Sequence, residues 1–192
     1  HAGEDIALGE IAMEAGERLE AQHVMLLAGL GIREVLVTRP PRVALICTGR
    51  ELIDDVSQPL IEGQIRNSNG PFLLARIAAA GAVVVHYETV SDEPEVFIES
   101  LRKALSLAPD IVISTGAVSM GRYDFIPDAL RGENAEILFH KVAIRPGKPL
   151  LFARLAGGQL YFGLPGNPVS SAVGLRFFVE TAIRIQLGLP PE

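Results

Sequence analysis

The chain of 192 residues carries 23 acidic and 17 basic residues, a net charge of -6 and few aromatic residues. That length provides one sizeable α/β domain with at most a small appendage. The acidic balance argues against a nucleic-acid surface, and the apolar runs are too short for a bilayer span of about 20 residues. The amino-terminal residues lack the order of a signal peptide, so we expect a soluble cytoplasmic protein without membrane or nucleic-acid partners.

The first forty residues differ in pattern from the rest. Closely spaced turn signals predict small strands in residues 3–17, the pattern of residues 21–30 predicts a helix, and residues 34–38 predict a strand. The segment holds too little apolar material for a core of its own. We therefore expect residues 1–41 to be the remnant of a second domain, and residues 42–192 to form the main domain after a Pro-Pro boundary.

From residue 42 onward, predicted strands and helices alternate. The strands are predicted at residues 43–47, 81–87, 111–114 and 159–162, with extended pieces in residues 137–154. Helices are predicted to follow caps at Asn69 and Asp92, and a long helix to close the chain at residues 168–187. This alternation predicts an α/β fold with a mostly parallel sheet covered on both faces. Ligands of such sheets bind outside the carboxyl ends of the strands.

Three loops rich in Gly, Ser and Thr directly follow predicted strands, at residues 47–52, 114–124 and 162–171. Glycines let the backbone approach a ligand and turn its N–H groups inward, while the hydroxyl groups add donors. One such loop alone is most often a simple tight turn. Three of them at the same sheet edge favour a binding site, and a phosphate is the kind of ligand they suit.

A cationic stretch begins after the second of these loops and includes the third. Residues 137–179 contain no Asp or Glu. Their basic residues are Lys141, Arg145, Lys148, Arg154 and Arg176. Solvated surface charges are the usual fate of Lys and Arg. Cations without neighbouring acids in an acidic chain, however, favour a bound anion.

Asp124, after the second loop, has two interpretations that the pattern leaves nearly even. It caps the helix that follows, or it holds Mg²⁺ opposite the cations.

His86 and His140 lack the spacing of metal ligands, and no Ser-His-Asp order is evident, so we expect neither a zinc site nor a serine nucleophile.

Five motifs follow one another along the chain. They are Thr48-Gly49-x-Glu51-Leu52, Gly63-Gln64-Ile65-x-Asn67-Ser68-Asn69, Thr115-Gly116-x-Val118-Ser119-x-Gly121-x-x-Asp124, Lys141-x-x-Ile144-x-Pro146-Gly147-Lys148-Pro149 and Leu164-Pro165-Gly166-Asn167-Pro168-Val169-Ser170. In order and spacing they resemble the MoeA family of molybdopterin molybdenumtransferases, which is related to the E domain of gephyrin. The resemblance covers residues 42–187, the molybdopterin-binding domain shared with MogA and MoaB proteins, and residues 1–41 resemble the end of the family's central domain.

The resemblance implies a three-layer α/β/α domain of the MoaB/MogA type and a homodimer whose pocket is completed across subunits. It implies that adenylylated molybdopterin and molybdate give molybdenum cofactor and AMP with the help of Mg²⁺, beside a MogA/MoaB-type adenylyltransferase partner. Catalytic roles would fall to Asp124, Lys141 and Arg145, with Asp124 as the metal ligand. Substrate-binding roles would fall to Thr48, Gly49, Glu51, Asn69, Thr115, Gly116, Ser119, Gly121, Lys148, Pro165, Gly166, Asn167, Pro168 and Ser170.

Three positions depart from the family pattern. Arg50 stands where the family has Asp, which removes an expected functional carboxylate and adds a cation to the site. Ala117 replaces a Gly, and Arg145 stands where Lys is common. Two alternatives stay open: the adenylyltransferase reaction of the MogA and MoaB relatives, and a non-catalytic molybdopterin-binding scaffold, which the change at Arg50 permits. The chain also lacks further domains of the family, so we expect it to be a fragment.

Overall fold

Two groups of strands and a set of helices build the part of the chain described by the computed structural model, residues 6–118 and 125–191. The strands are β1 (Arg42–Thr48), β2 (Leu52–Ile53), β3 (Ile65–Arg66), β4 (Val83–Val90), β5 (Ile111–Thr115), β6 (Glu136–His140), β7 (Leu151–Arg154) and β8 (Leu160–Leu164). The α-helices are α1 (Ala21–Gly29), α2 (Asn69–Ala79), α3 (Pro94–Ser106), α4 (Ile126–Gly132), α5 (Pro168–Gly174) and α6 (Glu180–Gln186).

The main sheet has six strands in the order β4-β1-β5-β8-β7-β6. The first four are parallel, whereas β7 pairs antiparallel with β8, and β6 with β7. The prediction of a mostly parallel sheet is therefore confirmed. The edge formed by β6 and β7 is antiparallel because the connections around β7 contain no crossover helix, which a parallel pair needs. The short strands β2 and β3 pair separately in the loop after β1.

Helices cover both faces of this sheet. On one face, Leu45 of β1 packs in a cluster with Leu73 of α2 and Ile183 of α6. On the other, Ile46 packs with Phe97 and the rest of the α3 and α4 face. All five of these side chains are fully buried. Because neighbouring residues of a strand point to opposite faces, the continuous apolar run of β1 requires a helical layer on each side, which gives the predicted three layers.

The predicted caps of α2 and α3 are wrong in detail. Asn69 is the first residue of α2 instead of its cap, and Asn67 Oδ1 accepts the Gly70 N–H at 2.9 Å in the capping role. Glu93, and not Asp92, precedes α3. Both Asn69 and Asp92 thereby keep their side chains available for contacts outside their helices.

The amino-terminal segment, residues 6–41, contains only part of what its pattern predicts. The predicted helix is confirmed as α1, but α1 buries none of its residues, and Met25 is 73% exposed. No strand forms in residues 6–17 or 34–38, so those predictions are wrong for the described residues. Extended chain becomes a strand only by pairing with a neighbour, and the described chain offers none to this segment.

The closing helix extends as predicted from Pro168 to Gln186, with a π-helical turn at Leu175–Val179 between α5 and α6. Within the described ranges, no helix combines the length and apolar character needed to cross a bilayer.

His86 on β4 is expected to make the fold sensitive to mild acid. Burial lowers its pKa below the usual 6.5, and Glu88, whose Oε2 lies 3.4 Å from His86 Nε2, offsets this only partly. Near pH 6.5 the unfolded chain therefore binds a proton that the folded chain does not, and stability falls as the pH drops from 6.5 toward the folded pKa. In urea unfolding at pH 7.5 and 5.5, His86→Phe should lose less stability than the unmodified protein. Equal losses in both would contradict this assignment.

Candidate functional site

The loops after β1, β5 and β8 meet at the carboxyl ends of these three adjacent parallel strands. Between them lies a cleft of about 450 Å³. The predicted site residues that line it are Thr48, Gly49, Glu51, Asn69, Thr115, Gly116, Pro165, Gly166, Asn167 and Ser170. Loops far apart in the sequence are thus brought together where parallel sheets bind their ligands.

Other predicted residues do not line the cleft. Lys141, Arg145, Lys148 and Pro168 are absent from its walls. Ser119, Gly121 and Asp124 lie outside the described residues. Their proposed roles, including Asp124 as a metal ligand, stay predictions.

The first two loops approach each other closely at Gly116. The Thr48 hydroxyl donates a hydrogen bond to the Thr115 carbonyl oxygen at 3.0 Å. Gly116 has a φ of +88°, and a Cβ atom at this position would lie 2.5 Å from the Thr48 carbonyl oxygen. Only glycine combines this left-handed conformation with such a close backbone contact.

The N–H groups of two predicted loop glycines are not available to a ligand. Gly49 donates its N–H to the Val90 carbonyl at 3.0 Å, and Gly116 donates to the Leu164 carbonyl at 3.1 Å. These hydrogen bonds tie each loop to the end of a neighbouring strand. The expectation that these two backbone donors turn inward is therefore wrong, and the glycines serve close packing instead.

The third loop is fixed by two Asn side chains. Asn69, which is 8% exposed, donates from Nδ2 to the Gly166 carbonyl oxygen at 2.9 Å. Asn167 caps α5 by accepting the Ser170 N–H at 3.1 Å. The predicted site residue Asn69 thus holds the cleft wall in place from α2.

The cationic loop between β6 and β7 lies beside the cleft. Val142 donates its N–H to the Lys148 carbonyl at 3.0 Å, which closes the loop. Gly147 packs on α5, where an added Cβ would lie 3.1 Å from Val173 Cγ1. Pro149, directly after Lys148, is itself part of the cleft wall.

The basic residues of the acid-free stretch fall into two groups. Arg154 pairs with Glu136 at 2.8 Å and Arg176 with Glu180 at 3.4 Å, both acids lying just outside the stretch. The remaining three are exposed and have no ion-pair partner among residues 6–118 and 125–191. They are Lys141, Arg145 and Lys148. The cations without partners are thus those of the loop beside the cleft.

Asp92 is a cleft residue that sequence reasoning missed. It follows β4 at the carboxyl edge of the sheet, and this position was the only available signal. Asp92 Oδ1 accepts the Arg50 N–H at 3.4 Å and lies 3.6 Å from Arg50 Nε. Arg50 does not line the cleft, so it does not extend a cationic wall there.

The described residues do not by themselves form a metal centre. Glu51 and Asp92 are the acids on the cleft wall, and no group of three or more His, Cys, Asp or Glu side chains suited to a metal comes together within the described chain.

Comparison with known proteins identifies relatives over almost the whole length of this chain. A family model described as a probable molybdopterin binding domain matches residues 44–185. The molybdopterin molybdenumtransferase of Staphylococcus aureus is 39% identical over 97% of this chain, and that of Synechococcus elongatus is 43% identical over 93%. The chain spans 44% of the length of each of these relatives.

Solved structures show the same fold. A molybdopterin biosynthesis MoeA protein from Pyrococcus horikoshii matches 96% of this chain and 45% of its own, with a TM-score of 0.84 and 31% identity. The tungsten cofactor synthesizing protein MoaB from Pyrococcus furiosus matches 77% of this chain with a TM-score of 0.59. At 14% identity, the second likeness concerns the fold alone.

Proposed function

The chain belongs to the family of probable molybdopterin binding domains of molybdenum cofactor biosynthesis, and we propose that its cleft binds adenylylated molybdopterin. This membership confirms the resemblance predicted from the five motifs. The observation that carries the proposal is the meeting of the loops after β1, β5 and β8 at one cleft, beside three cations that have no ion-pair partner within residues 6–118 and 125–191.

Charge explains why those cations matter. The phosphates of the pterin nucleotide and molybdate are anions, and the protein carries a net charge of -6 that opposes their approach. Lys141, Arg145 and Lys148 would attract these groups and hold their oxygens. Since these side chains have no acidic partner among the described residues, ligand binding would break no ion pair within that part of the chain.

The reaction we propose is molybdate insertion with release of AMP, after the relatives named molybdopterin molybdenumtransferase. Asp124 would hold Mg²⁺, which neutralises charge on the phosphoanhydride bond that breaks. Asn69 and the Gly116 contact keep the pocket wall rigid. We propose this activity, the homodimer with a shared pocket and the cytoplasmic location for the whole protein. The chain itself spans less than half of the length of its relatives.

No observation favours either of the two alternatives, the adenylyltransferase reaction and the non-catalytic scaffold. The likeness to MoaB, at 14% identity, supports the fold without supporting an adenylyltransferase reaction. The scaffold interpretation rested on the carboxylate missing at Arg50, yet Asp92 brings another carboxylate to the cleft wall.

Calorimetric titration of the full-length protein with AMP and adenosine tests the proposed function. We expect AMP to bind more tightly than adenosine because only AMP carries a phosphate. Lys148→Ala should weaken AMP binding about fivefold to tenfold, or about 1–1.4 kcal/mol, which is the scale of losing one hydrogen bond, without affecting adenosine. Lys103→Ala is the matched control, because Lys103 pairs with Glu88 at 2.9 Å and lies outside the cleft wall. Absence of AMP binding by the unmodified protein would contradict the proposal.

A further inference from the structure

The cleft wall carries negative charge although its proposed ligand is an anion. Among the described lining residues, the ionisable side chains are Glu51 and Asp92. The cations proposed to hold the ligand lie in the neighbouring loop and not in the wall. A phosphate entering the cleft would therefore meet two carboxylates at close range, where electrostatic repulsion is strongest.

Arg50 is placed to offset one of these carboxylates. It stands in the chain between Gly49 and Glu51, which both line the cleft, but does not line the cleft itself. Its Nε lies 3.6 Å from Asp92 Oδ1, and its backbone N–H donates to the same oxygen at 3.4 Å. The Asp92 side chain is 22% exposed and that of Arg50 is 73% exposed. The Arg50 side chain is thus mostly exposed to solvent, whereas Asp92 is one of the residues that line the cleft.

We propose that Arg50 is a positioning residue that neutralises Asp92 and so lets the cleft accept an anionic ligand. It acts through Asp92 and makes no contact with the ligand. The inference rests on the proposed function in one respect, that the ligand carries a phosphate. It explains why a cation in the loop after β1 suits a site whose wall contains Asp92. It also predicts that Arg50→Asp, which introduces the residue of the family pattern, weakens anion binding.

The two contacts of Arg50 with Asp92 can be separated by substitution. Arg50→Ala removes the guanidinium charge but keeps the backbone N–H that donates to Asp92. Asp92→Asn removes the charge that Arg50 would neutralise. The double variant closes a cycle in which the two substitutions are non-additive if one residue acts through the other.

The experiment is calorimetric titration of AMP and adenosine into the full-length protein and these three variants, at low and high salt. Arg50→Ala should weaken AMP binding about threefold to fivefold, as expected for an exposed ion pair, and leave adenosine binding unchanged. High salt should remove this difference because it screens exposed charges. In the Asp92→Asn background, Arg50→Ala should have no effect on AMP.

Three results would overturn the inference while leaving the proposed function in place. They are unchanged AMP affinity in Arg50→Ala, an equal loss for AMP and adenosine, and a loss of AMP affinity that persists in the Asp92→Asn background. The second would show a structural effect on the loop, and the third a direct contact of Arg50 with the ligand. If the unmodified protein binds adenosine but not AMP, the proposed function fails together with this inference.

Discussion

Replacing Gly116 with Ala is expected to destabilise the protein by about 2–4 kcal/mol and to abolish AMP binding. Gly116 has a φ of +88°, which residues with a side chain rarely adopt. The new methyl group would lie 2.5 Å from the backbone carbonyl oxygen of Thr48. A backbone atom cannot rotate away as a flexible side chain does. The loops after β1 and β5 must therefore separate, and the cleft between them loses its shape. Urea unfolding and AMP titration measure the two effects.

Gly166→Ala is the matched control for this substitution. Gly166 also lines the cleft, but among the described residues a Cβ atom there would meet only the Gly116 Cα, at the ordinary contact distance of 3.7 Å. The loss of stability should stay below about 0.5 kcal/mol, as at sites without strain or overpacking. Similar losses in the two variants would contradict the role assigned to the close approach at Gly116.

The position of the cleft was predictable from sequence because strand burial leaves a clear pattern. The apolar run at residues 43–47 identifies a strand buried on both faces, and Thr48 and Gly49 then mark its carboxyl end. The same reasoning applies to Thr115 and to Pro165. Since adjacent parallel strands end at the same edge, the three loops had to meet.

Hydrogen bonding between loops and strands was not predictable in the same way. Whether the N–H groups of Gly49 and Gly116 face a ligand depends on which carbonyl lies opposite, and the partners Val90 and Leu164 are distant in sequence. Asp92 was missed for a related reason, since nothing in the sequence around it marks a ligand loop. Its place in the cleft follows only from the pairing of β1 with β4.

Charge pairing was partly predictable. The acid-free stretch includes Lys141, Arg145 and Lys148, which have no ion-pair partner in the part of the chain that the structure describes. It could not separate them from Arg154, whose partner Glu136 is brought opposite by the antiparallel pairing of β6 with β7. The residues 34–38 show the converse limit, because a strand-like pattern forms no strand without a neighbour.

Replacing Arg76 with Met is expected to destabilise the protein by about 1–3 kcal/mol, a value below that for a fully buried pair because the Arg76 side chain is 46% exposed. Arg76 on α2 donates from Nε and Nη2 to Glu180 Oε1 at 3.0 and 2.7 Å, and the Glu180 side chain is only 7% exposed. Loss of the Arg76 guanidinium leaves the buried charge of Glu180 with Arg176 as its partner. That contact is weaker, because Arg176 Nη1 lies 3.4 Å from Glu180 Oε2.

Arg102→Met provides a control in which the shortest Arg–Glu distance is the same and the pair is less buried. Arg102 Nη2 also lies 2.7 Å from a Glu oxygen, that of Glu133, but the two side chains are 68% and 23% exposed. Its loss should cost less than about 0.5 kcal/mol in urea unfolding. Glu180→Gln should recover part of the stability lost in Arg76→Met, because it removes the buried charge; a double variant no more stable than Arg76→Met would contradict this explanation.

The Arg76→Met variant also separates the stability of the fold from the binding of the ligand. Arg76 and Asn69 are both on α2, and a helix places residues seven positions apart about 10 Å from each other. Asn69 holds the cleft wall through Gly166, whereas Arg76 ties α2 to α6 away from the cleft. Below its unfolding transition, Arg76→Met should therefore bind AMP with unchanged affinity, in contrast to Gly116→Ala. A parallel loss of affinity would show that the α2–α6 contact controls the cleft as well as the fold.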